Sequence, residues 1–196
     1  MDAQTHQRTR RSGPVLRAAA VFLVLCVVAT ACSQSQAELA QAALQSGIRA
    51  HQQGKLDQAE TLYREALKHD GSNISAIYNL GLVEQTRGRD DKAVTWYLLA
   101  IALDQNYAPA LFNLAVIRTN KGDLKDAISL YRRYNAQRPK AFDGHLNLGH
   151  LLIKIGQKAA GEAEIRLAAR LKPSLLNNGP HPTQTATPST GPQSSS

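Results

Sequence analysis

Gln53-Gly54-Lys55-Leu56-Asp57-Gln58-Ala59 decides how this chain is read, because it recurs three times: Arg87-Gly88-Arg89-Asp90-Asp91-Lys92-Ala93, Lys121-Gly122-Asp123-Leu124-Lys125-Asp126-Ala127 and Ile155-Gly156-Gln157-Lys158-Ala159-Ala160-Gly161. The four glycines stand 34 residues apart. A constant period of this length marks a repeat array in which each copy is one supersecondary unit. Helical patterns of roughly fifteen residues lie on either side of each glycine. That places the glycine at a helix C-terminus, where a left-handed backbone is least costly without a Cβ. The unit is helix, tight turn, helix.

Further positions repeat in the same register. A Leu-Gly pair stands at Leu80-Gly81 and Leu148-Gly149, as Leu114-Ala115, and as Ser46-Gly47. A small residue is followed four later by an aromatic at Ala59/Tyr63, Ala93/Tyr97 and Ala127/Tyr131; the last copy has Gly161 and Ile165. A second small residue follows at Ala66, Ala100 and Ala168, with Tyr134 in that slot of the third copy. Pro139 and Pro173 close the last two copies; Gly71 and Gln105 stand there earlier. The opening aromatic of the pattern is replaced by Ala43, Ile77, Leu111 and His145. Over residues 36–173 the chain resembles the tetratricopeptide repeat family, whose 34-residue unit carries this pattern. The resemblance implies an all-α, right-handed superhelical solenoid of four tetratricopeptide helix-turn-helix repeats, at 40–73, 74–107, 108–141 and 142–173.

Composition agrees with helices packed through small side chains. Hydrophobic residues make up 43% of the chain and aromatic residues only 5%, and alternating runs of a sheet are nearly absent. A solenoid needs no single large core, since each copy buries its apolar face on its neighbour. The pattern predicts helices over 36–53, 55–69, 74–87, 89–104, 108–121, 123–137, 142–155 and 157–171. Asp57, Asp90 and Asp123 fall at or near starts of second helices, where they can cap free N–H groups or meet the positive end of the dipole.

Outside the repeats the sequence changes character. Residues 1–17 carry Arg8, Arg10, Arg11 and Arg17 against Asp2, and residues 18–31 carry no charge. Fourteen apolar and small residues fall short of the roughly 20 that span a bilayer. A basic segment, a short apolar core and then small residues is the layout of an export signal. Ala29-Thr30-Ala31-Cys32 resembles a bacterial lipobox, although Ala29 stands where Leu is usual. This assigns 1–31 to a signal peptide, Cys32 to lipid modification and 32–35 to a short linker. Cleavage near Ala31 with Cys32 left as a free thiol, or an uncleaved anchor, are the alternatives. On the lipobox reading Cys26 is removed and the mature chain has no disulfide. An acyl anchor of at least two chains would hold it to a membrane. The expected location is exported, at the outer face of a plasma membrane or the periplasmic side of an envelope membrane. Residues 174–196 end in a stretch rich in Pro, Ser and Thr, which buries too little surface to offset the entropy of ordering.

Chemistry finds little support. There is no glycine-rich phosphate loop, and His145 and His150 are five apart, which points them to different helix faces. The expectation is a non-enzymatic protein with no cofactor and no metal. The formal charge is +8, of which +3 lies in residues 1–31 and +5 in the rest. Those charges are spread over helix faces, which argues against nucleic acid as a partner.

What remains is surface. The resemblance implies that the first helix of each repeat lines a concave groove, with the residue before the Leu of the Leu-Gly pair facing it. That slot holds Asn79, Asn113 and Asn147, with Gln45 in the first copy. An amide offers both a donor and an acceptor, which suits the backbone of an extended peptide. The alternative is that these amides brace neighbouring helices. Tyr78 and Phe112, with Leu82, Val116 and His150 one turn on, would form the groove floor, and Gln85 would extend it. The family's basic clamp for a C-terminal carboxylate is missing, since its slots hold Leu44, Ile48, Asn79, Pro109 and Asn113. The expected function is a lipid-anchored interaction scaffold that holds a peptide segment of an envelope partner and assists assembly of an envelope complex. The alternatives are an oligomerisation or spacer module without a groove ligand, and a cytoplasmic or signal-anchored adaptor.

Overall fold

The computed structural model describes residues 35–176, all helical apart from the turns between helices. The signal segment, Cys32 and the tail from 177 onward lie outside the described residues. Among the described residues eight α-helices follow one another as four antiparallel pairs: α1 over 35–52, α2 Leu56–His69, α3 Ile74–Thr86, α4 Asp90–Leu103, α5 Ala108–Lys121, α6 Leu124–Gln137, α7 Phe142–Lys154 and α8 Lys158–Leu171. A 3-10 turn, Pro173–Leu176, closes the described chain. Among the described residues there is no strand.

The turn within each pair is the same object four times. Gly54, Gly88, Gly122 and Gly156 all have positive φ, between 72° and 85°, and no other residue type does among those described. The N–H after each glycine bonds the carbonyl five residues back: Lys55 to Ala50, Arg89 to Glu84, Asp123 to Arg118 and Gln157 to Leu152, at 2.8–2.9 Å. The glycine N–H bonds three residues back, as Gly54 does to His51. This paired pattern satisfies the last carbonyls of the first helix while reversing the chain.

Helix starts use different devices. The Asn73 side chain accepts from the Ala76 N–H at 3.0 Å at the head of α3, and proline lies in the first turn of α5. The aspartates expected at the second helices do not cap. Asp123 stands at the N-cap of α6 without a capping bond, because its carboxylate is held 2.9 Å from Arg118 Nη1. Asp57, Asp90 and Asp91 lie in the first turns of α2 and α4, where they meet the dipole.

Within a pair, small residues let the helices close. Ala59, Ala93 and Ala127 are fully buried, as are Tyr63, Tyr97 and Tyr131. A Cβ placed on Gly81 would stand 2.5 Å from the Tyr97 ring, and one on Gly47 2.6 Å from the Tyr63 ring. Between pairs, burial is continuous. Two core clusters are bridged by Leu67 and Trp96, which pack against both. Ion pairs add to two of the seams. Arg87 binds Asp57 and lies 2.5 Å from Glu60 Oε2, while Lys121 binds Asp91 one period later. Glu84, buried at the end of α3, completes the first set against Arg89 Nε at 2.7 Å. At the next seam the same two slots hold Lys125 and Ile155, and no such pair can form.

Candidate functional site

The first helices were expected to present a row of amides, and they hold one in a less open form. Asn79 and Asn113 are both 0% exposed, while Asn147 is half-buried. The Asn113 Nδ2 donates to the Tyr78 hydroxyl at 3.0 Å and lies 3.4 Å from the Tyr97 hydroxyl. Asn147 Nδ2 donates to the Tyr131 hydroxyl at 3.2 Å. Asn79 Nδ2 instead donates to the Ser75 carbonyl of its own helix at 2.8 Å. The open ladder is therefore corrected to one that is buried over Asn79 and Asn113 and reaches the surface at its two ends, Gln45 and Asn147. The physical reason at Asn113 is that phenols of the preceding repeat take its amide.

The floor residues follow the same pattern. Tyr78, Leu82, Phe112 and Val116 are buried. Tyr78 packs its ring 5.7 Å from Tyr97 and 5.6 Å from Tyr107, and Phe112 lies 5.7 Å from Tyr131 and 5.0 Å from Tyr134. These four are core rather than open lining. Gln85 is half-buried and accepts from the Tyr97 hydroxyl at 2.6 Å. His150 is exposed on α7. Leu146, beside Asn147, is half-buried. The accessible parts of the first-helix face thus lie at the ends of the array, on α7 and, with Gln45 half-buried, on α1.

Electrostatics separate this face from the opposite one. Burial pushes the phenols of Tyr63, Tyr78 and Tyr97 upward and that of Tyr131 to about 12, so they act as neutral hydroxyls. Two amide oxygens on this face, Asn79 Oδ1 and Asn113 Oδ1, are buried without a hydrogen-bond donor. On the side of the second helices lies a cleft of about 760 Å³ lined by Glu60, Arg64, Glu84, Arg87 and Trp96 among others. Its charges are mostly spent on each other, and the bond from Arg87 holds the Glu60 carboxyl below its usual range.

His145 is buried, with Nδ1 2.7 Å from Glu164 Oε2 and Nε2 3.1 Å from the Pro139 carbonyl, while His150 faces solvent. Among the described residues no three His, Cys, Asp or Glu side chains gather to hold a metal. No described helix is long and apolar enough to cross a membrane.

The tyrosine partners of the asparagines were not singled out from the sequence. The signal that could have found them is a fixed interval: Tyr97 to Asn113 and Tyr131 to Asn147 are each sixteen residues. Tyr63 and Asn79 share that interval, yet the Tyr63 hydroxyl has no partner, because Asn79 has turned to its own backbone.

Comparison with known proteins bears on the same helices. Three family models, each described as tetratricopeptide repeat, match residues 44–108, 96–129 and 142–175, and together they cover more than half of the chain. A comparison with curated protein sequences finds no match. Among solved structures, MamA is similar at 19% identity with a TM-score of 0.62, over 71% of this chain and 81% of its own. PilF of Pseudomonas aeruginosa is 24% identical with a TM-score of 0.64, over 71% of this chain and 64% of its own. YrrB, described as a tetratricopeptide repeat protein with an unusual peptide-binding site, is 22% identical with a TM-score of 0.59, over 72% of each chain. Identities this low carry the fold alone. With the helix pairs, the glycine turns and the three family matches, the chain is a member of the tetratricopeptide repeat family.

Proposed function

We propose that this chain is an exported, lipid-anchored scaffold that holds an extended segment of an envelope protein on its first-helix face. The observation that carries the reading is the accessible group on one face of α7: Asn147 and Leu146 are half-buried and His150 is exposed, so an amide donor and acceptor stands beside an apolar side chain where a partner's main chain can reach both. YrrB, with its described peptide-binding site, lends the reading support by analogy. Cys32 supplies the anchor, and assistance in assembling an envelope complex is the role such a tethered groove suits.

Two measurements test this. The first is the intact mass of chain extracted from membranes, beside a Cys32→Ala variant. A chain that starts at Cys32 and carries acyl groups, lost in the variant, is the expected result; an unmodified chain starting at Met1 overturns export and anchoring. The second places a photo-cross-linking amino acid at His150 in living cells. A defined envelope partner should be captured, and capture should fall at least tenfold with Asn147→Ala while helical circular dichroism is unchanged. Equal capture with and without Asn147 overturns the groove.

A further inference from the structure

The second helices form the outer side of the array, and α4 does not match α2 and α6 on either side of it. On α4 the outward stripe Thr95, Leu98, Leu99, Ala102 and Leu103 is exposed throughout. Leu98, Leu99 and Leu103 are 47%, 43% and 46% exposed. The 34-residue register gives the residues that fill these three positions elsewhere. In α2 they are Arg64, Glu65 and His69, and in α6 Arg132, Arg133 and Gln137. A polar outer face is what a solvent-facing repeat requires, and α4 alone of these three departs from it. Beside the stripe a cleft of about 210 Å³ opens between α4 and α6, lined by Leu98, Leu114 and Leu130 with Arg118 and Asp126. It is large enough to take a leucine side chain.

No other segment of this chain is suited to cover the stripe. The stretch from 177 onward has no large apolar residue, and the apolar run 18–31 is joined to the start of α1 by only three residues. A second molecule is needed, and the charges around the stripe indicate which. Positions on α2 and α6 that are 68 residues apart stand at the same level on either side of α4. Lys55 corresponds to Asp123, Asp57 to Lys125 and Glu65 to Arg133; only Arg64 and Arg132 repeat a sign. Among the described residues Lys55, Glu65 and Lys125 are exposed and make no ion pair, while Asp57 and Asp123 also hold Arg87 and Arg118.

We propose that the outer face of α4 is the centre of a two-fold contact between two copies of this chain, with the symmetry axis running along α4. The two α4 helices then lie side by side in parallel, leucine against leucine. The α2 of each copy faces the α6 of the other, so opposite charges meet at three levels on both sides. This is an isologous interface, in which the same patch completes itself. It stands independently of the groove reading, because it uses the other side of the array.

The test is sedimentation equilibrium of the full chain in a density-matched detergent, as a function of concentration. Wild type should be a dimer. A triple variant that grafts the outer residues of α2 onto α4 (Leu98→Arg, Leu99→Glu, Leu103→His) should be a monomer with the same helical circular dichroism. If the graft does not fold, Leu99→Arg alone replaces it, since Arg133 fills that slot in α6. Lys125→Glu should weaken the dimer several-fold, and added salt should weaken the wild-type dimer as well. A wild-type monomer at every concentration overturns the proposal, as does a dimer indifferent to the leucine changes. A leucine-dependent dimer indifferent to Lys125→Glu and to salt overturns the parallel arrangement. A monomer whose single tryptophan, Trp96, shifts to the blue on reconstitution into phosphatidylglycerol vesicles assigns the face to lipid and overturns it too.

Discussion

The second and fourth helix pairs solve one problem in two ways. In the second pair Gly81 makes room for an aromatic ring: Tyr97 lies flush against α3, and its hydroxyl carries on to Gln85 and Asn113. In the fourth pair the ring is gone. Ile165 stands in its place, and Gly149 and Gly161 face each other, with a Cβ on Gly161 falling 2.5 Å from the Gly149 carbonyl oxygen. The first arrangement fills space with a side chain that also binds the next repeat. The second brings backbones together and offers nothing onward. Position in the array explains the difference, since the second pair has a neighbour to hold and the fourth ends the run.

The comparison breaks most sharply at the paired glycines. Gly161→Ala sets a methyl group against a main-chain oxygen that cannot rotate away, whereas Gly81→Ala meets a ring. The third pair already carries that alanine, Ala115, opposite Tyr131. We expect Gly161→Ala to cost about 3 kcal/mol and Gly81→Ala about 1 kcal/mol. Hydrogen exchange resolved by helix should show the loss in α7 and α8 for the former. Equal costs would mean that backbone contact is not what distinguishes the fourth pair.

The asparagines sharpen it next. Asn113→Ala strips the buried hydroxyls of Tyr78 and Tyr97 of their shared donor, and should lower stability by about 2 kcal/mol. Asn79→Ala removes a bond to a helix carbonyl that the helix itself already satisfies, and should cost less than 1 kcal/mol. Denaturant titration of the two variants decides whether the rungs differ as their partners do.

The smallest effect concerns acid. Hydrogen bonding to Arg87 lowers the folded pKa of Glu60, and Lys121 does the same for Asp91. Groups lowered in this way stabilise the fold above their ordinary values. That contribution fades as the pH falls through the folded values, below the usual carboxylate range of about 4. Arg87→Met should therefore flatten the fall of Tm on acidification, with a loss near neutrality of no more than about 1 kcal/mol. An acid slope unchanged in that variant would remove the ion pairs from the account of the first seam.

Much of this was legible before any coordinates. The period of the glycines fixed the turns, because a left-handed residue at a helix end is a local demand that one sequence states by itself. The exchange of Tyr for Ile165 and of Ala for Gly161 was visible as a departure, though its backbone contact was not. The asparagines were misread in exposure. Helical spacing tells which residues share a face, but not how much of that face neighbouring repeats cover, and α3 is buried from Ala76 to Glu84. The leucines of α4 escaped notice for a related reason: taken alone they read as core, and only alignment with α2 and α6 marks them as outward.

One seam also has an implication for how such a chain grows. Asp57 with Arg87 and Asp91 with Lys121 are the same contact, one period apart. A duplication of residues 74–107 would therefore arrive with its joints already matched at both ends, and the product should fold as a longer rod. A copy added after the last repeat would find Ala159 where the acid should be, just as the fourth repeat already finds Lys125. Growth from within would thus carry the ion pairs along, whereas growth at the end would have to join without them, as the third seam does.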